Sequence, residues 1–362
     1  MTKYILFVSL LITTYALPAH DEKKGSHMNV AINGFGRIGR NFLRCVLEDS
    51  AACKKIKIVA INLGPMNLDA AAHLFKHDTL LGTWPGNVEL KGDNLIIDGH
   101  EILLSTECDP CACPWKKLNI DWVVESSGRF TDHDGASGHL KAGARHVLVT
   151  APMKGDDTSI VPGVNLHDYD AKRDSIVSLG SCTTNALMPL LKVLLEQCGM
   201  QAGYMSTIHA YTNDQVILDV GHKDLRRARA AAVNIVPTTT GAATMIAKLF
   251  PQLKDKVPCT SIRVPVPKVS LLDVSFTADK AMSVELINKA LLKASQDDLQ
   301  SIMGYSDEPL VSSDYNKNNN SVTIDSLMTQ ACGKTGRVFG WYDNEWGYSE
   351  RLKDFLIYIA DH

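Results

Sequence analysis

A glycine turn close to the start of the chain restricts its fold more than any other feature. Asn29-Val-Ala-Ile-Asn33 is a short apolar run that meets Gly34-Phe35-Gly36-Arg37-Ile38-Gly39, and a helical pattern through Phe42, Leu43, Val46 and Leu47 follows. A second apolar run, Ile56 to Asn62, closes a βαβ unit of ordinary length. Gly34, Gly36 and Gly39 permit a tight turn and close backbone approach, so a pyrophosphate can rest on the exposed N–H groups at the helix start. Dinucleotide binding is the leading reading, ahead of a plain glycine-rich turn.

Trp122 to Ser126 and His146 to Thr150 are further strand-like runs, with helical material from Ala136 to Ala142 between them. That alternation predicts an α/β, Rossmann-type doubly wound parallel sheet with helices on both faces. Past Ser181 the character changes. A helix to Gln197 leads into alternating runs such as Thr260 to Val266 and Ser270 to Thr277, with amphipathic helices at Thr240 to Lys248 and Ser283 to Ala294. An α+β domain with a mixed or antiparallel sheet fits. With 362 residues, 45% hydrophobic, the chain is long enough for both domains. The expected division is 29–180 for the dinucleotide-binding domain, 181–346 for the catalytic domain and 347–362 for a closing helix.

A net charge of -3 without long single-sign blocks speaks against nucleic acid or an anionic membrane as the partner. The 9 cysteines are odd in number and scattered, which reads as reduced thiols in a cytoplasmic protein. Cys108, Cys111 and Cys113 cluster, but no fourth ligand beyond His100 stands at a metal-site spacing, so no metal is expected. The N-terminus conflicts with that compartment: Lys3, the apolar run Tyr4 to Ala16 and Ala16-Leu17-Pro18-Ala19 resemble a secretory signal. Gly25-Ser26-His27-Met28, however, matches what an expression vector leaves before a native start at Met28. Residues 1–28 are therefore expected to be leader and vector-like sequence foreign to the protein.

Ser181-Cys182-Thr183-Thr184-Asn185 heads an apolar helical run, and His209-Ala210-Tyr211-Thr212 lies downstream. A helix N-terminus and a nearby His would stabilise a Cys182 thiolate. Beside a hydride-accepting dinucleotide, such a pair suggests aldehyde oxidation through a thioester on Cys182, with His209 as base. The thioester then needs an acceptor. Thr212, Arg226-Arg227, Thr238-Thr239-Thr240-Gly241 and Arg263 are hydroxyls and arginines of the kind that grip phosphate. One expected element is missing: the strand Ile56 to Asn62 runs into Leu63-Gly64-Pro65, so no carboxylate stands where one would take the ribose hydroxyls and repel a 2′-phosphate.

Seven segments together carry a resemblance. Asn33-Gly-Phe-Gly-Arg-Ile-Gly-Arg40, Glu125-Ser-Ser-Gly-Arg-Phe130, Ser181-Cys-Thr-Thr-Asn185, His209-Ala-Tyr-Thr212, Asp224-Leu-Arg-Arg-Ala-Arg229, Pro237-Thr-Thr-Thr-Gly241 and Trp341-Tyr-Asp-Asn-Glu345 are similar to those of phosphorylating glyceraldehyde-3-phosphate dehydrogenases, in that order and from Asn29 to the C-terminus. The resemblance implies the glycolytic oxidation of D-glyceraldehyde 3-phosphate with inorganic phosphate to 1,3-bisphosphoglycerate. It implies Cys182 as nucleophile and His209 as its base and thiolate partner. The substrate phosphate would lie near Thr212 and Arg263, and inorganic phosphate near Ser181, Thr183, Arg227, Thr240 and Gly241. Asn33, Gly34, Phe35 and Gly36 would form the cofactor turn, with Arg37 and Ile38 under the pyrophosphate and Asn62 and Leu63 at the ribose. Ser127, Gly128 and Thr150 would run along the nicotinamide side, and Asn344 would hold its amide. A homotetramer is implied, in which the segment Tyr211 to Val236 lines a neighbour's cofactor site, and the helix Ser349 to Ala360 would return to the first domain.

Two departures bear on the cofactor. NAD-specific members carry an acid where Leu63 stands, and many bacterial ones carry Leu-Pro where Val220-Gly221 stands; Cys108 occupies a position that is often basic. NAD and NADP are therefore both expected to be accepted. Three alternatives remain at this level. Erythrose-4-phosphate dehydrogenases are similar around the glycine loop and Cys182 but lack the Thr of His-Ala-Tyr-Thr and the Thr-Gly of the phosphate loop. A Cys-His acyl hydrolase would need no dinucleotide turn. A secreted binding protein is suggested only by the leader.

Overall fold

The computed structural model describes residues 27–362, so the signal-like run and Gly25-Ser26 of the vector-like segment lie outside the described residues. Met28–Asn33 is the central strand of a nine-stranded sheet, its apolar Val30, Ala31 and Ile32 fully buried. It pairs in parallel with Ile56–Asn62 on one side and Trp122–Glu125 on the other. Beyond Trp122–Glu125 come His146–Val149, Ile176–Ser178 and Thr158–Ser159, all parallel. Because strand order reverses at Met28–Asn33, the crevice above its C-terminal end is where such a sheet binds a ligand.

The other flank departs from pure doubly wound topology. His100–Ser105 runs parallel to Ile56–Asn62, but Asn94–Ile97 and Val88–Lys91 follow as antiparallel edge strands. Asp98-Gly99, with φ of 49° and 85°, makes a turn of the primed hairpin kind, the local signal for this hairpin. The Cys108, Cys111 and Cys113 stretch forms a short turn around Pro110–Ala112 with Cys113 buried and the other two exposed. Among the described residues, no group of three or more His, Cys, Asp or Glu could hold a metal ion, and no helix is long and apolar enough to cross a membrane.

The second sheet is mixed and seven-stranded. Met200–Ala210 lies inside it, parallel to Cys259–Val264 and antiparallel to Ser270–Ala278, which continues into Thr335–Tyr342 and Val322–Cys332. Cys182–Cys198 buries Ala186, Leu187, Leu190, Leu191 and Leu194 in the core on this sheet, together with Ile246, Ile287 and Leu291 from the helices Ala242–Leu249 and Val284–Gln296. The final helix, Trp346–Asp361, belongs to the other core: Tyr348, Leu352, Phe355 and Leu356 pack with Val30, Phe42 and Trp122. Two cores thus share one chain ending, and Cys182 touches both.

Phe355 meets the Trp122 ring edge-on, centroids 5.6 Å apart, and also contacts Tyr169. Phe355→Ala leaves a cavity at the junction of the last helix and the first sheet. Its expected cost is about 3–5 kcal/mol, read as a lowered urea midpoint; an unchanged midpoint would mean the helix does not support this core.

Candidate active site

The seat of Cys182 is prepared by the residues just before it. Gly180 takes φ 62°, turning the chain from the sheet into the helix, and Ser181 caps that helix by accepting from the Thr184 N–H at 3.1 Å. Asn185 donates to the carbonyls of Leu179 (2.7 Å) and Ser181 (3.0 Å), and the Tyr348 hydroxyl donates to Gly180 at 2.9 Å. Cys182 therefore occupies the first turn, where the helix dipole favours a thiolate.

His209 reaches Cys182 from the end of Met200–Ala210: its Nε2 lies 3.5 Å from Cys182 Sγ. The other nitrogen, Nδ1, is 2.6 Å from the Ala210 carbonyl, which can only accept, so Nδ1 carries the proton and Nε2 is free to take one. Strand pairing sets Arg263 beside His209. Arg263 Nη1 stands 3.2 Å from Nδ1, 3.3 Å from the Ala210 carbonyl and 3.3 Å from Thr212 Oγ1. Since Nδ1 already bears hydrogen, the Arg263–Nδ1 contact acts as a nearby positive charge and not as a hydrogen bond. Burial, with Arg263 adding to it, lowers the His209 pKa to about 3. Burial pushes the Cys182 thiol up while Arg263 opposes that shift. Burial thus acts against the charged form of each partner, and Arg263 favours a charged sulfur and a neutral ring.

The pair opens on a cleft of about 730 Å³ that runs from the glycine turn to Cys182. Gly36, Arg37, Ile38, Ser127, Gly128 and Thr150 line one part, and Ser181, Thr212 and Asn344 another. The turn suits a pyrophosphate. Gly36 begins the helix Arg37–Leu47 without any side-chain cap, and a Cβ there would meet nothing within 4 Å. Gly34, at φ 92°, packs so closely that a Cβ would come within 2.5 Å of the Ser127 backbone.

Other residues singled out from the sequence stand back from the cleft. Phe35 is buried and stacks on Phe75. Asn33, Asn62 and Leu63 are buried too, the two asparagines bonded to each other at 2.7 Å. Arg37 lines the cleft, but its guanidinium is held by Asp78 and by both oxygens of Glu345 (2.9 and 2.6 Å), leaving its backbone N–H for a ligand. Arg227 is tied to Asp214, Asp224 and Thr238, and it lies with Thr240 and Gly241 outside the cleft lining. Thr183 bonds Tyr342 at 3.0 Å, which bonds Thr207 at 2.7 Å.

Several contributors escaped the sequence reading. The Tyr342 ring meets the His209 ring edge-on, centroids 5.9 Å apart, yet only Asn344 was singled out in its motif. Ser270 accepts from the Ala210 N–H at 3.0 Å and donates to Asn344 Oδ1 at 3.2 Å, joining the His209 strand to the cleft-lining Asn344. Between Ser270 and the buried Lys268–Asp343 pair, Val269 takes φ 67°, a left-handed conformation that is strained for a β-branched residue. Nothing local in the sequence signals that strain.

His209 also sets a pH dependence. Unfolded, its pKa returns to about 6.5, so below that pH the unfolded chain binds a proton that the folded protein refuses until about pH 3. Acidification through this window destabilises the fold by up to about 1.4 kcal/mol per pH unit from this group. Replacing it by His209→Gln is expected to flatten urea-denaturation stability against pH in that range; parallel curves for variant and wild type would refute a buried neutral imidazole.

Residues 28–133 match the family model described as glyceraldehyde 3-phosphate dehydrogenase, NAD binding domain, and residues 181–344 the one described as its C-terminal domain. The glyceraldehyde-3-phosphate dehydrogenase of Geobacillus stearothermophilus is 48% identical over 92% of this chain and 98% of its own length. Glyceraldehyde-3-phosphate dehydrogenase 1 of Bacillus subtilis is 47% identical with the same coverage, and that of Streptomyces coelicolor 46% over 92% and 99%. With Cys182 and His209 meeting at the end of a cleft that starts at the glycine turn, and near-complete overlap with these relatives, the chain belongs to the glyceraldehyde 3-phosphate dehydrogenase family.

Proposed function

We propose that the protein catalyses the glycolytic oxidation of D-glyceraldehyde 3-phosphate, with inorganic phosphate, to 1,3-bisphosphoglycerate. The observation that carries this reading is the 3.5 Å approach of Cys182 Sγ to His209 Nε2 in the cleft that starts at the glycine turn. His209 Nε2 takes the thiol proton, the sulfur adds to the aldehyde carbon, and that proton passes to the carbonyl oxygen, giving a hemithioacetal and freeing Nε2 again. His209 then takes the hydroxyl proton as the carbon–hydrogen bond breaks, leaving a thioester on Cys182. The bound nicotinamide dinucleotide supplies the hydride acceptor. Attack of inorganic phosphate on the thioester releases the acyl phosphate and returns the thiolate.

Thr212 and Arg263, joined at 3.3 Å beside His209, are placed to hold the substrate phosphate. Ser181, Thr183, Thr240 and Gly241 would serve the attacking phosphate, with Arg227 swinging from Asp214. For the cofactor, the turn Asn33 to Ile38 would hold the pyrophosphate, Ser127, Gly128 and Thr150 the nicotinamide side, and Asn344 its amide. Leu63 is buried at the end of Ile56–Asn62 and offers no charge against a 2′-phosphate, which supports use of both NAD and NADP.

Assays of phosphate-dependent reduction of NAD and NADP by wild type and Cys182→Ser test this. The serine variant is expected to lose on the order of a thousandfold or more in kcat, because its hydroxyl ionises far less readily than a thiol. Full turnover by Cys182→Ser would refute the mechanism. Comparable kcat/KM for the two cofactors is expected; a preference for NAD of about a thousandfold, roughly 4 kcal/mol, would overturn the dual-cofactor reading. A higher kcat/KM for erythrose 4-phosphate than for the triose phosphate would favour the sister activity.

A homotetramer in the cytoplasm completes the reading. Ile217, Leu218, Val220, Leu225, Val233 and Ile235 are all at least 60% exposed within one segment, an apolar stretch suited to a second copy of the chain. All 9 cysteines are free thiols, as a reducing compartment would keep them. Light scattering on a preparation from the source cells should give the mass of four chains, and thiol titration after denaturation should find no disulfide; a stable monomer or a disulfide-bonded chain would contradict this.

A further inference from the structure

The strand Trp122–Glu125 is apolar until its last residue, and that residue is an acid with no exposed surface: Glu125 and its neighbour His139 both have side chains 0% exposed. A carboxylate so placed is costly unless its oxygens are bonded. They are. Oε1 accepts from the Ser127 N–H at 2.8 Å and from the Ser127 hydroxyl, and Oε2 accepts from Asn33 Nδ2 and from His139 at 3.0 Å. The tautomer of His139 follows from its other partner. The Trp115 indole can only donate, and it does so to His139 Nδ1 at 3.0 Å, so the ring proton sits on Nε2 and points to Glu125.

Of the residues this carboxylate holds, one lines the proposed cofactor cleft and another leads into its glycine turn. Ser127 lines it, and Ser127 backbone atoms are those against which Gly34 packs. Asn33 immediately precedes the glycine turn. Its Oδ1 accepts from Asn62 Nδ2 at 2.7 Å, and Asn62 in turn clasps the Glu107 backbone at both N–H and carbonyl, each 2.8 Å. The ends of three neighbouring strands and the loop after a fourth are therefore tied through one anion at the point where strand order reverses.

We propose that Glu125 is the positioning residue of the cofactor cleft, setting Ser127 and the Asn33 end of the glycine turn, with His139 fixing the carboxylate from behind. This rests on the cleft being the dinucleotide site. Glutamine cannot substitute by flipping. One end of its amide must present N–H either to Ser127, whose N–H also donates, or to Asn33 and His139, which both donate, and His139 cannot shift its proton to Nδ1 while Trp115 bonds there.

Calorimetric titration of NAD into wild type, Glu125→Gln, His139→Leu and His139→Gln tests the proposal, with the rate of Cys182 alkylation by iodoacetamide in cofactor-free protein as a second readout. Glu125→Gln is expected to weaken binding about tenfold or more, about 1.4 kcal/mol. His139→Leu, outside the cleft lining, should weaken it several-fold, whereas His139→Gln, which keeps an N–H donor for Glu125, should stay near wild type. Alkylation rates should match in all four, because Cys182 is seated by other residues. Unchanged binding in Glu125→Gln, equal binding in the two His139 variants, or alkylation falling in step with binding would overturn the proposal. Wild type that binds no NAD would instead overturn the reading of the cleft. Should Glu125→Gln not fold, the comparison of the two His139 variants decides alone.

Discussion

The seating of Cys182 is the constraint on which the rest depends. In the proposed reaction the Cys182 sulfur must stand at a helix start, within reach of His209, and at the end of a cleft that begins at the glycine turn. The chain meets these demands by placing the first turn of Cys182–Cys198 where the two cores touch, so that one domain supplies the helix and His209 while the other supplies the glycine turn. Small polar contacts then hold the junction: Tyr348 on Gly180, Asn185 on Leu179, Ser270 between Ala210 and Asn344. Each is an ordinary hydrogen bond of modest net worth. Their value lies in geometry, since each fixes backbone that carries a reacting or binding group.

Charge is handled with similar restraint. Arg37 would lower its pKa on burial, yet the Glu345 and Asp78 carboxylates keep it firmly protonated and bind the glycine-turn helix to the segment bearing Asn344. Arg263 stands nearest to Cys182 and His209, where its cation opposes protonation of His209, with Arg227 adding to this, and favours ionisation of Cys182. Arg227 is balanced by Asp214 and Asp224 in this conformation. The cleft lining thus offers hydroxyls from Ser127, Thr150, Ser181 and Thr212 beside an Arg37 guanidinium already held by carboxylates.

Much of this was legible along the chain, and what was hidden was hidden for physical reasons. Local signals suffice for the strand, glycine turn and helix of residues 28–47, because turn geometry and apolar periodicity are properties of adjacent residues. Cys182 at a helix start could be read for the same reason. The edge hairpin of residues 88–105 was overlooked although Asp98-Gly99 announces its turn. Side-chain partners are another matter: Glu125 finds Asn33 across 92 positions of sequence, and Arg37 finds Glu345 across 308. A lone acid ending an apolar strand was the available hint at Glu125, but only the folded sheet supplies its donors. The positive φ of Val269 has no sequence mark at all, being imposed by locked neighbours on either side.

The return of the last helix to the first core gives the chain an unusual order of assembly. Val30 and Phe42 are made early at the ribosome, but the surface that covers them includes Leu352 and Phe355, made only after every strand of the second sheet. The dinucleotide-binding half cannot finish its own interior until the catalytic half has been synthesised. A prematurely terminated chain would then present raw apolar surface to chaperones and proteases in place of a half-competent cofactor binder.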